Sequence, residues 1–322
     1  MKAYLKASNR PYCLDRCLRS IRRHVSGLDG LVVLDDGTRE RYLEKLAAQH
    51  PDVEFRSSPK GKDKYAFMDE PGFLAGPPGQ VDLLRTFSPA MDPARFWVKE
   101  VARDPGKYLF IQEEDTWFVS PVDLNRIRAN MDANQAILTK LFWNETDPLP
   151  GPDEVFLSAV FGDGFILDYF RPRIEGLLHV HKIFNVAQSV LLKEYWLNSY
   201  DGVPHWAHEE HLLARAVDFV NAHPHSKFCK ARDKAIVHTA LSTSRSDCGG
   251  MGVASKIDVH RVNFILNEAW LHGELDPMQG FPRDMDEEYV AAILEQAMGR
   301  AEINSWRQWK TDYSGMYEGT PG

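Results

Sequence analysis

The chain has 322 residues, 43% of them hydrophobic and 26% charged, and a formal net charge of -8. That length suits one large domain, or a main domain with an appendage, and is ample for a sizeable core. The acidic balance gives no electrostatic basis for broad binding to nucleic acid, so no nucleic-acid partner is expected.

Cys13, Cys17, Cys229 and Cys248 form neither a CxxC pair nor a disulfide-dense pattern, which points to a reducing compartment. No apolar run approaches the length of a membrane span, and Met1 to Ser8 lacks a signal-peptide core. The expectation is a cytoplasmic protein with no transmembrane segment, at most peripheral to a membrane.

In chain order, Tyr4 to Ser8 is a short apolar run that meets the turn-prone Asn9-Arg10-Pro11. Pro11 suits the first turn of a helix, and Leu14, Leu18, Ile21 and Val25 recur at helical spacing until Gly27 and Gly30. Leu31 to Leu34 reads as a strand buried on both faces and stops at Asp35-Asp36-Gly37-Thr38. Tyr42, Leu43, Leu46 and Ala47 mark a second helix, and Val53 to Phe55 a further strand. This alternation predicts an α/β fold, with right-handed crossovers and a mostly parallel sheet.

Residues 57–79 read as a long Gly-, Pro- and Lys-rich loop. Pro93 to Arg103 reads as a helix. Tyr108 to Ile111 is a buried strand running into Gln112-Glu113-Glu114-Asp115. Strand patterns follow at Ala136 to Trp143 and Val155 to Leu167, and helical ones at Val186 to Trp196 and Trp206 to Val220. Ala235 to His238 is a last short strand. Beyond about residue 250 only Glu287 to Met298 stands out, as an amphipathic helix, and Ser305 to Gly322 is a tail that docks or frays.

Ligands of open α/β sheets bind outside the carboxyl ends of the strands. Asp35 and Asp36 lie at one such end and Glu113, Glu114 and Asp115 at another. Acidic residues there can cap the helices that follow, or they can present oxygens to a hard cation. Three adjacent carboxylates repel one another without a positive charge among them, which favours the second reading at 113–115.

Ser8-Asn9-Arg10-Pro11 opening a helix, then Val32 to Thr38, then Phe110 to Phe118 together resemble the GT-A nucleotide-sugar glycosyltransferases, most closely the inverting glycosyltransferase family 2. The resemblance implies a Rossmann-like central sheet over 1–250. Residues 1–112 would form its nucleotide-binding half and 113–250 its metal and acceptor half, with a C-terminal helical extension over 251–322. It implies that Ser8, Asn9, Arg10, Asp35, Asp36 and Arg245 meet the nucleotide. Asp115, Glu113 and His238 would hold a divalent cation, Mn²⁺ or Mg²⁺, with Glu standing where the family's "D-x-D" motif has its first Asp.

The implied partners are a nucleotide-sugar donor, a UDP-sugar first among them, and a glycan or small-molecule acceptor. A retaining enzyme, or an inactive nucleotide-sugar or glycan-binding protein, is the alternative. The C-terminal extension is a candidate surface for a homo-oligomer.

His205 to Leu213 holds a second constellation. His208 and His211 are three residues apart, which is not the HExxH spacing of a zinc helix. In the family, an acidic pair at this distance from the metal motif opens a helix and carries the catalytic base, so Glu209 and Glu210 are the candidates. A plain acidic first turn that complements the helix dipole is the competing reading. His238 follows an apolar run, where a satisfied core histidine is the commoner outcome. Lys60, Lys62 and Lys64 read as a solvated loop.

Overall fold

The computed structural model describes residues 1–64, 93–143, 149–174, 177–184, 186–200, 202, 209–241, 243 and 257–318. The first third runs β1 (Lys2–Ala7), α1 (Pro11–His24), β2 (Val25–Ser26), β3 (Gly30–Asp35), α2 (Glu40–Gln49), β4 (Val53–Ser57) and α3 (Gly61–Lys64). Then come α4 (Pro93–Ala102), β5 (Tyr108–Glu113), β6 (Thr116–Phe118), β7 (Val122–Asp123), α5 (Leu124–Asn134), β8 (Ala136–Lys140), β9 (Val155–Val160) and β10 (Ile166–Phe170). A 3-10 turn (Leu177–Lys182) leads to β11 (Ser189–Leu192), α6 (Lys193–Tyr200), α7 (Glu209–Ala222), β12 (Lys227–Ala231) and β13 (Ile236–His238). The chain closes with α8 (Val259–His272), α9 (Glu287–Leu294) and α10 (Arg300–Glu318).

Among the described residues, nine strands form one sheet in the order β4-β3-β1-β5-β11-β8-β12-β10-β9. Only β11 and β10 run against the rest. The fold is therefore α/β with a mostly parallel central sheet flanked by helices, as the strand-helix alternation predicts.

Alternation along each strand feeds two cores. Ala3 and Leu5 of β1 and Leu31 and Val33 of β3 point into one layer, shared with α1, α2, α5, α8, α9 and α10. Tyr4, Val32 and Leu34 point into the other, shared with α4, α6 and α7. Helix α1 starts on Pro11 at its first turn, where the missing N–H costs nothing, and ends on Arg22, Arg23 and His24.

One stretch differs from the sequence reading. Val186 to Trp196 is not one helix: Ser189–Leu192 is β11, wedged antiparallel between β5 and β8, and only then does α6 begin. A four-residue apolar run suits either element, and here the open slot in the sheet decides. The tail docks, since α10 places Trp306, Trp309 and Tyr313 in the same core as β1 and α1. Helix α8, unread from sequence, has clear punctuation: Asp258 caps its first N–H groups and Gly273 closes it in the left-handed region.

Candidate active site

The carboxyl ends of β3, β1 and β5 are neighbours in the sheet, so the three motifs that follow them lie side by side. The first two are tied to each other. Asp35 Oδ1 accepts from Thr38 N–H at 2.9 Å, and Thr38 Oγ1 accepts from Asn9 N–H at 3.0 Å. Asp36 N–H donates to Ala7 O at 2.8 Å. Asn9 sits at φ 51°, a left-handed backbone that Asn tolerates better than most residues. Helix α2 has no side-chain cap. The acidic pair therefore shapes the turn between β3 and α2 and leaves the helix start uncapped.

Burial pushes the Asp35 pKa up to about 6, against hydrogen bonds from Thr38, Gly37 and Ser57 that favour its charged form. Gly37 takes φ 130°, and a Cβ on Gly61 would stand 3.0 Å from its Cα. Two glycines thus let the loop after β4 press on this turn.

The third motif changes direction at the end of β5. Glu113 is the last residue of the strand, and Glu114 and Asp115 form a turn before β6. The turn is pinned on both sides: Glu114 N–H donates to Lys6 O at 3.1 Å, and Thr239 N–H to Asp115 O at 2.9 Å. Thr116 Oγ1 donates to Glu113 O at 2.8 Å.

Arg10 fills the centre of this turn. Its Nε lies 3.0 Å from Glu114 Oε1 and its Nη2 lies 2.8 Å from that oxygen and 3.0 Å from Asp115 Oδ2. The guanidinium and both carboxylates are buried. His238, at the end of β13, brings Nε2 to 3.1 Å from Asp115 Oδ2.

Burial works to raise the Asp115 pKa, but Arg10 and His238 outweigh it and hold the carboxyl well below the usual range. Burial pushes Glu114 up to about 7, with Arg10 opposing and the Asp115 charge adding to the rise. Two adjacent acids are thereby driven apart: Asp115 stays ionised and Glu114 takes the first proton. Burial would lower His238, yet the Asp115 charge beside it keeps its pKa above the ordinary value.

The expected cation ligands, Asp115, Glu113 and His238, do not all meet. Glu113 gives Oε1 to Lys6 Nζ at 2.8 Å and Oε2 to Gln188 Nε2 at 3.3 Å. It stays on the face of β5 that packs toward α4, where Lys6 lies 4.9 Å from the Trp97 ring centre. An i, i+2 pair shares a face only while the strand continues, and the turn at 114–115 ends it. Glu114, which the motif leaves as its variable middle position, is instead the anchor for Arg10.

Among the described residues no three His, Cys, Asp or Glu side chains are grouped to hold a metal ion. Asp115 and His238 do fit part of such a site, because Asp115 Oδ1 is buried and has no hydrogen-bond partner among the described residues. Hard cations at phosphate sites are often held by one or two protein groups, with water and phosphate completing the shell.

Helix α7 begins at Glu209, where the sequence reading places a helix start, but the side chains of Glu209 and Glu210 lie outside the described residues. Arg245, His205, His208 and most of the long loop also lie outside them. His211 is exposed on α7.

The site has a further set of residues, all C-terminal. Asn267 of α8 donates to Asn9 O at 2.9 Å, and Asn263 accepts from Tyr12 at 3.1 Å. Asp284 accepts from Thr239 Oγ1 at 3.0 Å and from Ala240 N–H at 2.8 Å. The Tyr313 ring lies 6.1 Å from that of His238. The C-terminal segment thus braces both the turn that carries Arg10 and the strand end that carries His238. Asp258, Gly273 and the spacing of Val259, Val262, Leu266 and Trp270 mark α8 as a helix, but no local signal shows what it braces.

No family model and no curated protein matches the chain. Solved structures do resemble it weakly. The crystal structure of S. aureus TarS 1-349 is 12% identical with a TM-score of 0.40, over 98% of this chain and 91% of that one. Glucosyl-3-phosphoglycerate synthase from Mycobacterium tuberculosis, in complex with Mn²⁺ and UDP-glucose, is 13% identical with a TM-score of 0.41, over 85% and 79%. The galactosyltransferase LgtC, in complex with donor and acceptor sugar analogs, is 12% identical with a TM-score of 0.38, over 85% and 96%.

Proposed function

We propose that this chain is a nucleotide-sugar glycosyltransferase of the GT-A type, transferring a sugar to an acceptor hydroxyl with inversion. The observation that carries the reading is the meeting of three sequence motifs at adjacent strand ends, around a buried Asp115 with one oxygen that has no hydrogen-bond partner among the described residues. The nucleoside of a UDP-sugar would lie on the Asp35-Asp36 turn, with Ser8 and Asn9 along its side.

Asp115 and His238 would hold Mn²⁺ or Mg²⁺, which supplies positive charge to the diphosphate as it leaves. Arg10 keeps Glu114 and Asp115 in one geometry before any donor arrives. Arg245 would meet the diphosphate. Glu210, or Glu209, would accept the proton of the acceptor hydroxyl, and the amino end of α7 favours a carboxylate there. The acceptor oxygen bonds to the anomeric carbon as the bond to the diphosphate oxygen breaks, in one in-line step. Among the described residues no helix is long and apolar enough to cross a membrane.

Thermal shift with UDP-, GDP- and CMP-sugars tests this, each with Mn²⁺ and with EDTA. The expected result is a stabilisation that needs both nucleotide and metal. Asp115→Ala is expected to lower turnover by about 100-fold or more, and retained turnover would remove Asp115 from the cation site. Stabilisation by nucleotide alone, unmoved by EDTA, would remove the cation from the reading and leave Arg245 as the proposed positive charge at the diphosphate. Indifference to every nucleotide would end the transferase reading.

A further inference from the structure

The buried lysines among the described residues are Lys6, Lys140, Lys182 and Lys230. A buried ammonium is usually matched by a carboxylate, because an unpaired charge gives up its water without return. Lys6 follows that rule with Glu113 at 2.8 Å, and Lys182 with Glu154 at 2.7 Å. Lys230 does not. Its Nζ donates to the carbonyls of Ala231 at 3.0 Å and Arg232 at 3.3 Å, and lies 3.9 Å from the Trp143 ring centre. Carbonyls and a ring face carry only partial negative charge. Asp168, its partner in the β10 register, gives its oxygens to Arg232 and Ser158. No carboxylate among the described residues forms an ion pair with Lys230.

Lys230 stands across from Lys140 on the neighbouring parallel strand, near the carboxyl ends of β12 and β8. Ammonium groups at facing positions repel, and a negative charge between them turns that into attraction. Lys140 also donates to His181 O at 2.6 Å. Leu138 and Phe228, two residues before the lysines, pack in the core shared with α6 and α7. Both lysines therefore lie on that face of the sheet.

Helix α7 leads into β12 through residues 223–226, so it runs back against that strand. Its amino end then lies over the carboxyl edge of the sheet. Lys230 and the proposed base at 209–210 share one face and one edge. Strand β12 is three steps from β5 in the sheet, which at about 4.8 Å a step is roughly 14 Å. An anion at Lys230 is thus separate from the diphosphate proposed at Asp115.

We infer that Lys230, with Lys140 beside it, binds the anionic group of the acceptor, a phosphate or a carboxylate on the molecule whose hydroxyl is glycosylated. The acceptor role rests on the transferase proposed for this chain; the anion site stands without it.

The test is calorimetry and thermal shift with inorganic phosphate, glucose 6-phosphate, glucuronate and glucose. Ionic strength is held constant, and EDTA keeps any cation from holding the anion. The anionic probes are expected to bind and glucose to leave the protein unmoved. Binding of phosphates alone assigns a phosphate, and of glucuronate alone a carboxylate. Lys230→Met and Lys140→Met are each expected to weaken anion binding by about 10-fold or more. Lys230→Met should melt no lower than wild type, since it removes a buried charge that lacks a counter-charge. Anionic probes that fail to bind, or that bind both variants as tightly as wild type, would overturn the site. A lower melt of Lys230→Met with anion binding intact would make that lysine structural, and would overturn it too. Anion binding in a chain that no nucleotide-sugar stabilises would keep the site and overturn the acceptor role. Stabilisation by a nucleotide-sugar with no anion binding would keep the transferase and overturn this inference.

Discussion

The two halves of the sheet solve different problems. In the half made of β4, β3, β1 and β5 every pairing is parallel, and charged side chains gather at the strand ends inside the protein. In the half made of β8, β12, β10 and β9 the directions mix, the ion pairs lie largely at the surface, and apolar side chains face solvent on β9. The first half spends apolar burial on holding charges that water would otherwise solvate. The second buries charge as well, in Lys140 and Lys230, but leaves apolar surface open on β9. Buried charge marks the place where chemistry is expected.

The sharpest break of that contrast is a pair of phenylalanines. Phe110 sits in the middle of the sheet, fully buried, with the Phe118 ring 5.6 Å away. Phe110→Ala is expected to cost about 3–5 kcal/mol, because its cavity is walled by strands that cannot collapse. Phe156→Ala removes the same atoms from the edge and is expected to stay within about 0.5 kcal/mol. Urea unfolding of both variants measures the difference. Equal costs would mean that β9 is covered in the single chain.

Charge gives the next comparison. Arg10→Met leaves Glu114 and Asp115 facing each other in a buried turn, and a loss of about 3 kcal/mol is expected. The loss is smaller than two stranded carboxylates would impose, because the raised Glu114 pKa lets that residue take a proton. Arg10→Lys keeps the charge but not the planar fork, and should fall between. Arg173 pairs with Asp153 at 2.6 Å where both side chains are mostly exposed. Arg173→Met should be indistinguishable from wild type in the same melt.

How much of this was open to reading from the sequence follows the same divide. The β1-α1-β3-α2-β4 run announces itself by short-range pattern, because apolar runs, Pro11 and the acidic strand ends are local signals. The strand-end positions of Asp35, Asp36, Asp115 and His238 were legible for that reason: each lies at a strand end that the local pattern marks. The pairing of Arg10 with Glu114 and Asp115 was not, since it joins positions about a hundred residues apart that meet only once β1 and β5 are neighbours. Glu113 shows the opposite error, a spacing rule carried past the point where the strand stops. The antiparallel entry of β11 and the brace from Asn267 and Asp284 depend on tertiary contacts alone. No window of the sequence contains them.

The smallest of the expected effects is a difference in sign. Asp35, in the first half, is pushed up to about 6 by burial, above its ordinary value of 3.8. The folded state therefore holds a proton that the unfolded chain releases, and the Asp35 contribution to stability falls as pH rises from about 4 to about 6, then levels. Asp168, in the second half, is held below its ordinary value: burial works against this, and Arg232 and Ser158 prevail. Its contribution is complete above the unfolded pKa and is lost as pH falls through the folded one. Urea midpoints of wild type, Asp35→Asn and Asp168→Asn from pH 4 to pH 7.5 separate the two. Asp35→Asn should remove a decline of about 1–2 kcal/mol between pH 4 and pH 6, while Asp168→Asn should lower stability at neutral pH and leave that decline in place. Glu114, pushed up to about 7, adds a decline of its own that continues past pH 6 and stays in both variants. An Asp35→Asn slope between pH 4 and pH 6 equal to the wild type's would mean that Asp35 holds no extra proton in the folded state.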